Sequence, residues 1–105
     1  MGEIHDLQTE HQIWVHHNFP NQQVWEPLLG LQEELGELSH AYLKFVQGIR
    51  GNDHRNEMYD AVGDLFIYLM SFCNAAGFEL ETCIMRAWGL VKQRDWRADP
   101  VSGGE

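Results

Sequence analysis

At 105 residues the chain has room for one hydrophobic core and one domain, and at this size association with a copy of itself would help bury apolar surface. Sixteen acidic residues against seven basic ones give a formal net charge of -9, and no Lys or Arg precedes Lys44. That balance excludes an ordinary binder of nucleic-acid backbones, and an anionic ligand would need a bridging metal.

A first helix is expected from about Glu3 to Asn18, with Ile4, Leu7, His11, Trp14 and Val15 on one side, ending before the breaker Phe19-Pro20-Asn21. A second runs from about Trp25 to Gln47. Its Leu28, Leu31, Leu35, Leu38, Tyr42 and Phe45 alternate in threes and fours as a continuous apolar stripe, and Gly48 stops it. The polar segment GIRGNDHR reads as the loop between two antiparallel helices.

The third helix, from about Arg55 to Ala76, is amphipathic at first and then apolar nearly all round, which predicts burial on every side of its second half, with Gly77 as its C-cap. A fourth is expected from about Glu79 to Asp95, closing with Lys92 and Arg94 as the helix dipole prefers. The tail WRADPVSGGE is expected to fray. The fold class is therefore all-α, four helices in a single domain spanning residues 1–105, without a linker, internal repeat or low-complexity segment.

Cys73 and Cys83 lie in apolar helical patterns without CxxC spacing and read as reduced, buried small hydrophobes of a cytoplasmic protein. The start MGEIHDLQTE is too polar for a secretory signal, and the longest apolar run, LFIYLMSFC, is roughly half of a bilayer span. A soluble chain with no membrane partner is expected.

The acids carry the chemistry. On the second helix Glu33, Glu37, His40 and Lys44 share one stripe, while Glu34 is rotated toward the neighbouring helix and should be partly buried. On the third helix Glu57, Asp60 and Asp64 fall within about 60° of arc. A solvated helix face is the ordinary explanation of such acids. It fits poorly here, because like charges at i,i+3 and i,i+4 repel and no basic residue lies one turn from Asp60 or Asp64. Carboxylates from two facing helices suit a hard divalent ion, Mg2+ or Mn2+, better than zinc. Glu37-Leu38-Ser39-His40 is also an ExxH, the spacing of ferritin-like di-iron bundles, but the third helix supplies no second ExxH.

The pattern EELGEL, a glycine-containing loop, the acidic EMYDAVGDLFIYL and a last helix ending in basic residues resembles the MazG-type all-α nucleoside triphosphate pyrophosphohydrolases over about residues 25–97. The resemblance carries EExxE onto Glu33, Glu34 and Glu37, and the closing Asp of the following ExxD onto Asp64. The residue three before that Asp, usually Glu in the family, is Ala61 here, and Asp60, with Glu57 a turn further back, is the expected stand-in. The resemblance implies Mg2+-dependent hydrolysis of a nucleoside triphosphate between its α and β phosphates, in a homodimer or homotetramer with sites near the interfaces. A phosphoribosyl-ATP pyrophosphohydrolase, a dUTPase-like enzyme and a catalytically weak nucleotide-binding or regulatory protein are the alternatives.

Within that reading Glu34, Glu37, Asp60, Asp64 and Glu57 hold metal, and Glu33 orients the attacking water. Lys92 and Arg94 sit where the family tends to place phosphate-contacting groups, with Lys44 and Arg50 beyond the acidic turn of the second helix. Trp14, Phe19 and Trp25 are candidates to stack on a base that Asn18 or Asn21 would select, although core packing is the favoured reading for Trp14. Trp88, Trp96, Met58, Met70 and Met85 read as packing or interface residues.

Overall fold

The computed structural model describes residues 2–50 and 53–104. Met1, Glu105 and the Gly51-Asn52 part of the expected loop lie outside them. Four helices follow in order, α1 (Glu3–Asn18), α2 (Trp25–Val46), α3 (His54–Ala76) and α4 (Leu80–Val91), with no strand among the described residues.

Their ends have local causes. Asp53 caps α3, its carboxylate accepting from the backbone N–H of Asn56 at 3.2 Å. Gly77 ends α3 in the left-handed region at φ 82°, which lets the N–H of Phe78 close on the carbonyl of Cys73 at 2.8 Å. α4 stops at Val91, four residues before the expected end at Asp95, because the chain turns instead into a folded tail. There the N–H of Asp95 donates to Gly103 O at 2.8 Å, and the Asp99 carboxylate accepts from Ser102 Oγ at 2.7 Å. The expected fraying is thus replaced by side-chain-capped turns, and the Ser102 hydroxyl holds the Asp99 carboxyl below its ordinary range.

α3 is the spine. α2 packs along it over most of its length, α1 packs on α3 and α4, and α1 and α2 do not touch each other among the described residues. The α2–α3 pair is antiparallel. A Cβ on Gly30 would overlap the Tyr68 ring, Glu34 meets Asp64 further along, and Glu37 and His40 share a cleft with Ala61 and Glu57. Buried Ala41 and Ala61, with Gly30, let the two backbones approach closely.

α1 is tied down by a buried amide. The side-chain Nε2 of Gln8 donates to Asn74 Oδ1 and to Phe78 O, both at 2.8 Å, and its Oε1 accepts from the N–H of Leu80 at 2.8 Å. One side chain thereby satisfies the α3–α4 corner and the first amide of α4.

Several expectations about packing fail inside one chain. The α2 stripe does not face α3: Leu28, Leu35, Tyr42 and Phe45 are exposed, and α2 buries Pro27, Glu34 and Ala41 instead. The second half of α3 leaves Phe66 and Ile67 exposed, and α1 buries Gln8 and Val15 while Leu7 and Trp14 stand out. Cys73 joins Met70 and Leu80 in the small core, whereas Cys83 is exposed; both thiols are free. Trp88, Trp96 and Met85 are exposed, and Met70 is the buried methionine among those singled out.

The radius of gyration is 17.3 Å, against about 13 Å for a compact domain of this length. The accessible surface of 8121 Å² exceeds by about 2,000 Å² what a compact monomer of this size presents. No single helix is long and apolar enough to cross a membrane, and α3 and α4 meet at a 105° bend.

Candidate functional site

Helical spacing brings the acids of α2 and α3 to the two walls of one cleft. Glu33, Gly36, Glu37 and His40 from α2 face Glu57, Asp60, Ala61 and Asp64 from α3 around a space of about 480 Å³. Carboxylate oxygens of Glu33, Glu34 and Glu37 come within 4.8 Å of one another, a grouping able to hold one metal ion. No Lys or Arg side chain lines the cleft.

Glu34 is the anomalous member. It is 8% exposed, and its Oε2 is buried with no hydrogen-bond partner. Burial first, then a hydrogen bond to Glu37 and the charges of Glu37, Asp64 and Glu33, push its carboxyl above the usual glutamate range. A buried carboxylate whose charged neighbours raise its pKa is costly unless it takes a proton or a cation. The donor set therefore fits a hard divalent cation on an observation independent of the spacing: a buried, orphaned oxygen on a carboxylate that has three further carboxylates as neighbours.

Position 61 explains itself in packing terms. Ala61 is 3% exposed, in the α2 contact, while also lining the cleft, and Asp60 beside it reaches the same cleft as Asp64. Glu57 lines the cleft from one turn further back. Beside it His54 is buried and donates from Nε2 to Ile49 O at 2.9 Å, while its Nδ1 lies 3.7 Å from Glu57 Oε1 without a hydrogen bond. His54 thereby clamps the α2–α3 loop against the start of α3.

A second pocket of about 330 Å³ opens where α1 and α2 diverge over α3. His11, Trp14 and Phe19 form one side, Ile67 and Tyr68 the other, and Glu34 and Asp64 the floor it shares with the acidic site. His11 stacks on Trp14 at 5.8 Å, and Phe19 meets Trp14 edge-on at 5.7 Å. Burial lowers the His11 pKa and so disfavours the charged ring. Ser71 Oγ donates to Gln22 Oε1 at 2.8 Å and fixes that amide at the pocket wall. Trp14, at 52% exposure, belongs to this wall and not to the core.

The remaining candidates are dispersed. Trp25 lines an adjoining groove that shares Phe19, Gln22 and Tyr68 with the aromatic pocket and Glu33 with the acidic cleft. Asn18 donates to the carbonyl of Trp14 in its own helix at 3.0 Å and does not line the aromatic pocket. Lys44 is half-buried one turn beyond His40. Lys92 and Arg94 follow α4, which makes no contact with α2 among the described residues, and Arg94 packs beside Gly103 in the folded tail. Within one chain the structure does not bring them to the acids.

Sequence reasoning missed Gln22, Ser71 and Tyr68 as pocket residues and His54 as a clamp, because their partners come from other helices. No known family model, curated protein or solved structure matches the chain.

Asp60→Asn tests the stand-in at position 60. Under the activity that the sequence resemblance implies, the substitution is expected to slow nucleotide hydrolysis at least about tenfold, as loss of a metal-holding carboxylate would. Wild-type turnover would reduce Asp60 to a surface acid beside the cleft.

Proposed function

We propose that the chain is a Mg2+-dependent nucleoside triphosphate pyrophosphohydrolase of the MazG type, releasing a nucleoside monophosphate and pyrophosphate in nucleotide-pool house-cleaning. The observation that carries this reading is the orphaned, buried Glu34 oxygen: its residue lines the aromatic pocket and its carboxylate groups with Glu33 and Glu37 of the acidic cleft, while Asp64 lines both spaces. A flat apolar slot next to a cation site of oxygen donors is what a base followed by phosphates requires.

Glu34, Glu37, Asp60 and Asp64 would hold the ion, with Glu57 behind them. Mg2+ in that place would neutralise phosphate charge and acidify a water. Glu33 is exposed at the cleft rim, so its carboxylate is free to accept the proton of the water that attacks phosphorus. Trp14, Phe19 and Tyr68 stack on the base, and the Gln22 amide, fixed by Ser71, meets its polar edge.

The apolar surface left uncovered supports the same reading. The surplus of about 2,000 Å² of surface per chain and the unpacked leucines of α2 match what a homodimer or homotetramer would cover.

The test is incubation with Mg2+ and a panel of ribo- and deoxynucleoside triphosphates, with separation of mono- from diphosphate products. Release of monophosphate and pyrophosphate is expected; EDTA should abolish it and Mn2+ should restore it, since both ions accept octahedral oxygen ligation. Full activity in EDTA would sink the reading. Dependence on iron or zinc alone would favour the ExxH alternative through Glu37 and His40.

A further inference from the structure

One base does not use all the aromatic surface beside the carboxylates. Tyr68, Phe19 and Gln22 are walls of two spaces at once: the pocket of about 330 Å³ that Trp14 and Ile67 complete, and a groove of about 430 Å³ that Trp25 and Leu29 complete. Gly30 makes the shared wall possible. A Cβ there would overlap the Tyr68 ring, so its absence lets the ring lie against α2, and Gly30 itself lines the groove.

Both spaces reach the same acids. The pocket includes Glu34 and Asp64, the groove includes Glu33, and oxygens of Glu33, Glu34 and Glu37 lie within 4.8 Å of one another. The other acid of the groove, Glu26, accepts from the backbone N–H of Gln23 at 2.9 Å. No Lys, Arg or His lines the groove among the described residues, while Trp25 is exposed along it. Such a lining is unsuited to phosphate and suited to a flat, uncharged group. A nucleoside triphosphate has one flat group, and the Trp14 pocket already serves it.

Resting on the reading of the site as a Mg2+-dependent pyrophosphohydrolase, we infer that the Trp25 groove is a second base site and that the substrate class is a dinucleoside polyphosphate, two nucleosides at the ends of one phosphate chain. One base stacks in the Trp14 pocket, the other on Trp25, and the phosphates between them cross the carboxylates that both spaces adjoin. The hydrolytic step needs water alone as co-reactant. The water oxygen bonds to the phosphorus next to one nucleoside, the bridge to the following phosphate breaks, and the electron pair leaves on the bridging oxygen, with one water proton passing to Glu33. The products are a nucleoside monophosphate and the remaining nucleoside polyphosphate.

The experiment compares initial rates, in Mg2+, for each nucleoside triphosphate and the dinucleoside tetraphosphate of the same base, across adenine, guanine, cytosine and uracil. For the base that turns over best, the dinucleoside tetraphosphate is expected to exceed the triphosphate in kcat/KM at least about tenfold, through KM, as one further stacked base provides. Its first products should be the monophosphate and the triphosphate; two diphosphates would mean cleavage at the centre of the chain and would overturn the assignment. Trp25→Leu should remove the preference, and Trp25→Phe, which keeps a ring, should retain most of it. Partial unfolding of a variant lowers both rates together and leaves their ratio unchanged, so the ratio reads the groove and not the fold. Equal kcat/KM for the two substrates in the wild type, or a preference untouched by Trp25→Leu, would also overturn the assignment. If triphosphates are hydrolysed and only the preference is missing, the second base site alone is wrong. If neither class of substrate is hydrolysed, the pyrophosphohydrolase reading falls and this inference with it.

Discussion

Glu37→Gln and Asp64→Asn are each expected to abolish pyrophosphohydrolysis, by more than about 100-fold, while leaving the metal-free protein as stable as the wild type or more so. The reason is the sign of the electrostatics. Glu37 and Asp64 both raise the Glu34 pKa, so each is an unfavourable neighbour of a carboxylate that already lacks hydration. Removing one charge relieves repulsion of a few tenths of a kcal/mol per pair. Mg2+ with nucleotide should stabilise the wild type and not the variants, since a ligand stabilises by binding the folded state. Melting curves with and without Mg2+ decide the matter. Two destabilised variants with retained activity would mean that these acids are kept for folding.

The same cluster sets a pH dependence. Glu34 has a folded pKa raised above its unfolded value, so in the folded state it takes up its proton first as pH falls. Its contribution is unfavourable and complete above the raised pKa, and it disappears as pH drops through that value toward the ordinary glutamate range. The metal-free wild type should gain stability on mild acidification from neutrality, and Glu34→Gln should flatten that part of the profile.

The largest effect on stability is expected at Gln8. Gln8→Ala would leave the Leu80 N–H, the Phe78 carbonyl and the Asn74 Oδ1 without their side-chain partner at the α3–α4 corner, a loss of about 2–4 kcal/mol. In a domain of this length that lowers the melting temperature by on the order of 10 °C or more. Exposed Gln12, one turn on, is the control, and Gln12→Ala should change little. Equal melting temperatures for the two variants would show that α1 is held by its apolar contacts alone.

What the sequence determined by itself is local. Helix periodicity, Gly48, Gly77 and the Phe19-Pro20 breaker are encoded within a few residues, and four helices appear where those signals lie. The face shared by Glu33, Glu37 and His40, and the one shared by Asp60 and Asp64, follow from 3.6 residues per turn. Partial burial of Glu34 was legible for the same reason.

What only the tertiary structure decided is which face meets which helix. Periodicity gives α2 an apolar stripe without saying whether α3 or another copy covers it, and within the chain it is Gly30, Glu34 and Ala41 that face α3. Small residues win that contact because they let two helices approach closely, which no hydrophobicity pattern records. Likewise Gln8, Ser71, Gln22 and Tyr68 are unremarkable in one dimension. Each acquires its role from a partner 49 or more residues away, as Ser71 does from Gln22, or from the crossing of a neighbouring helix, as Tyr68 does over Gly30.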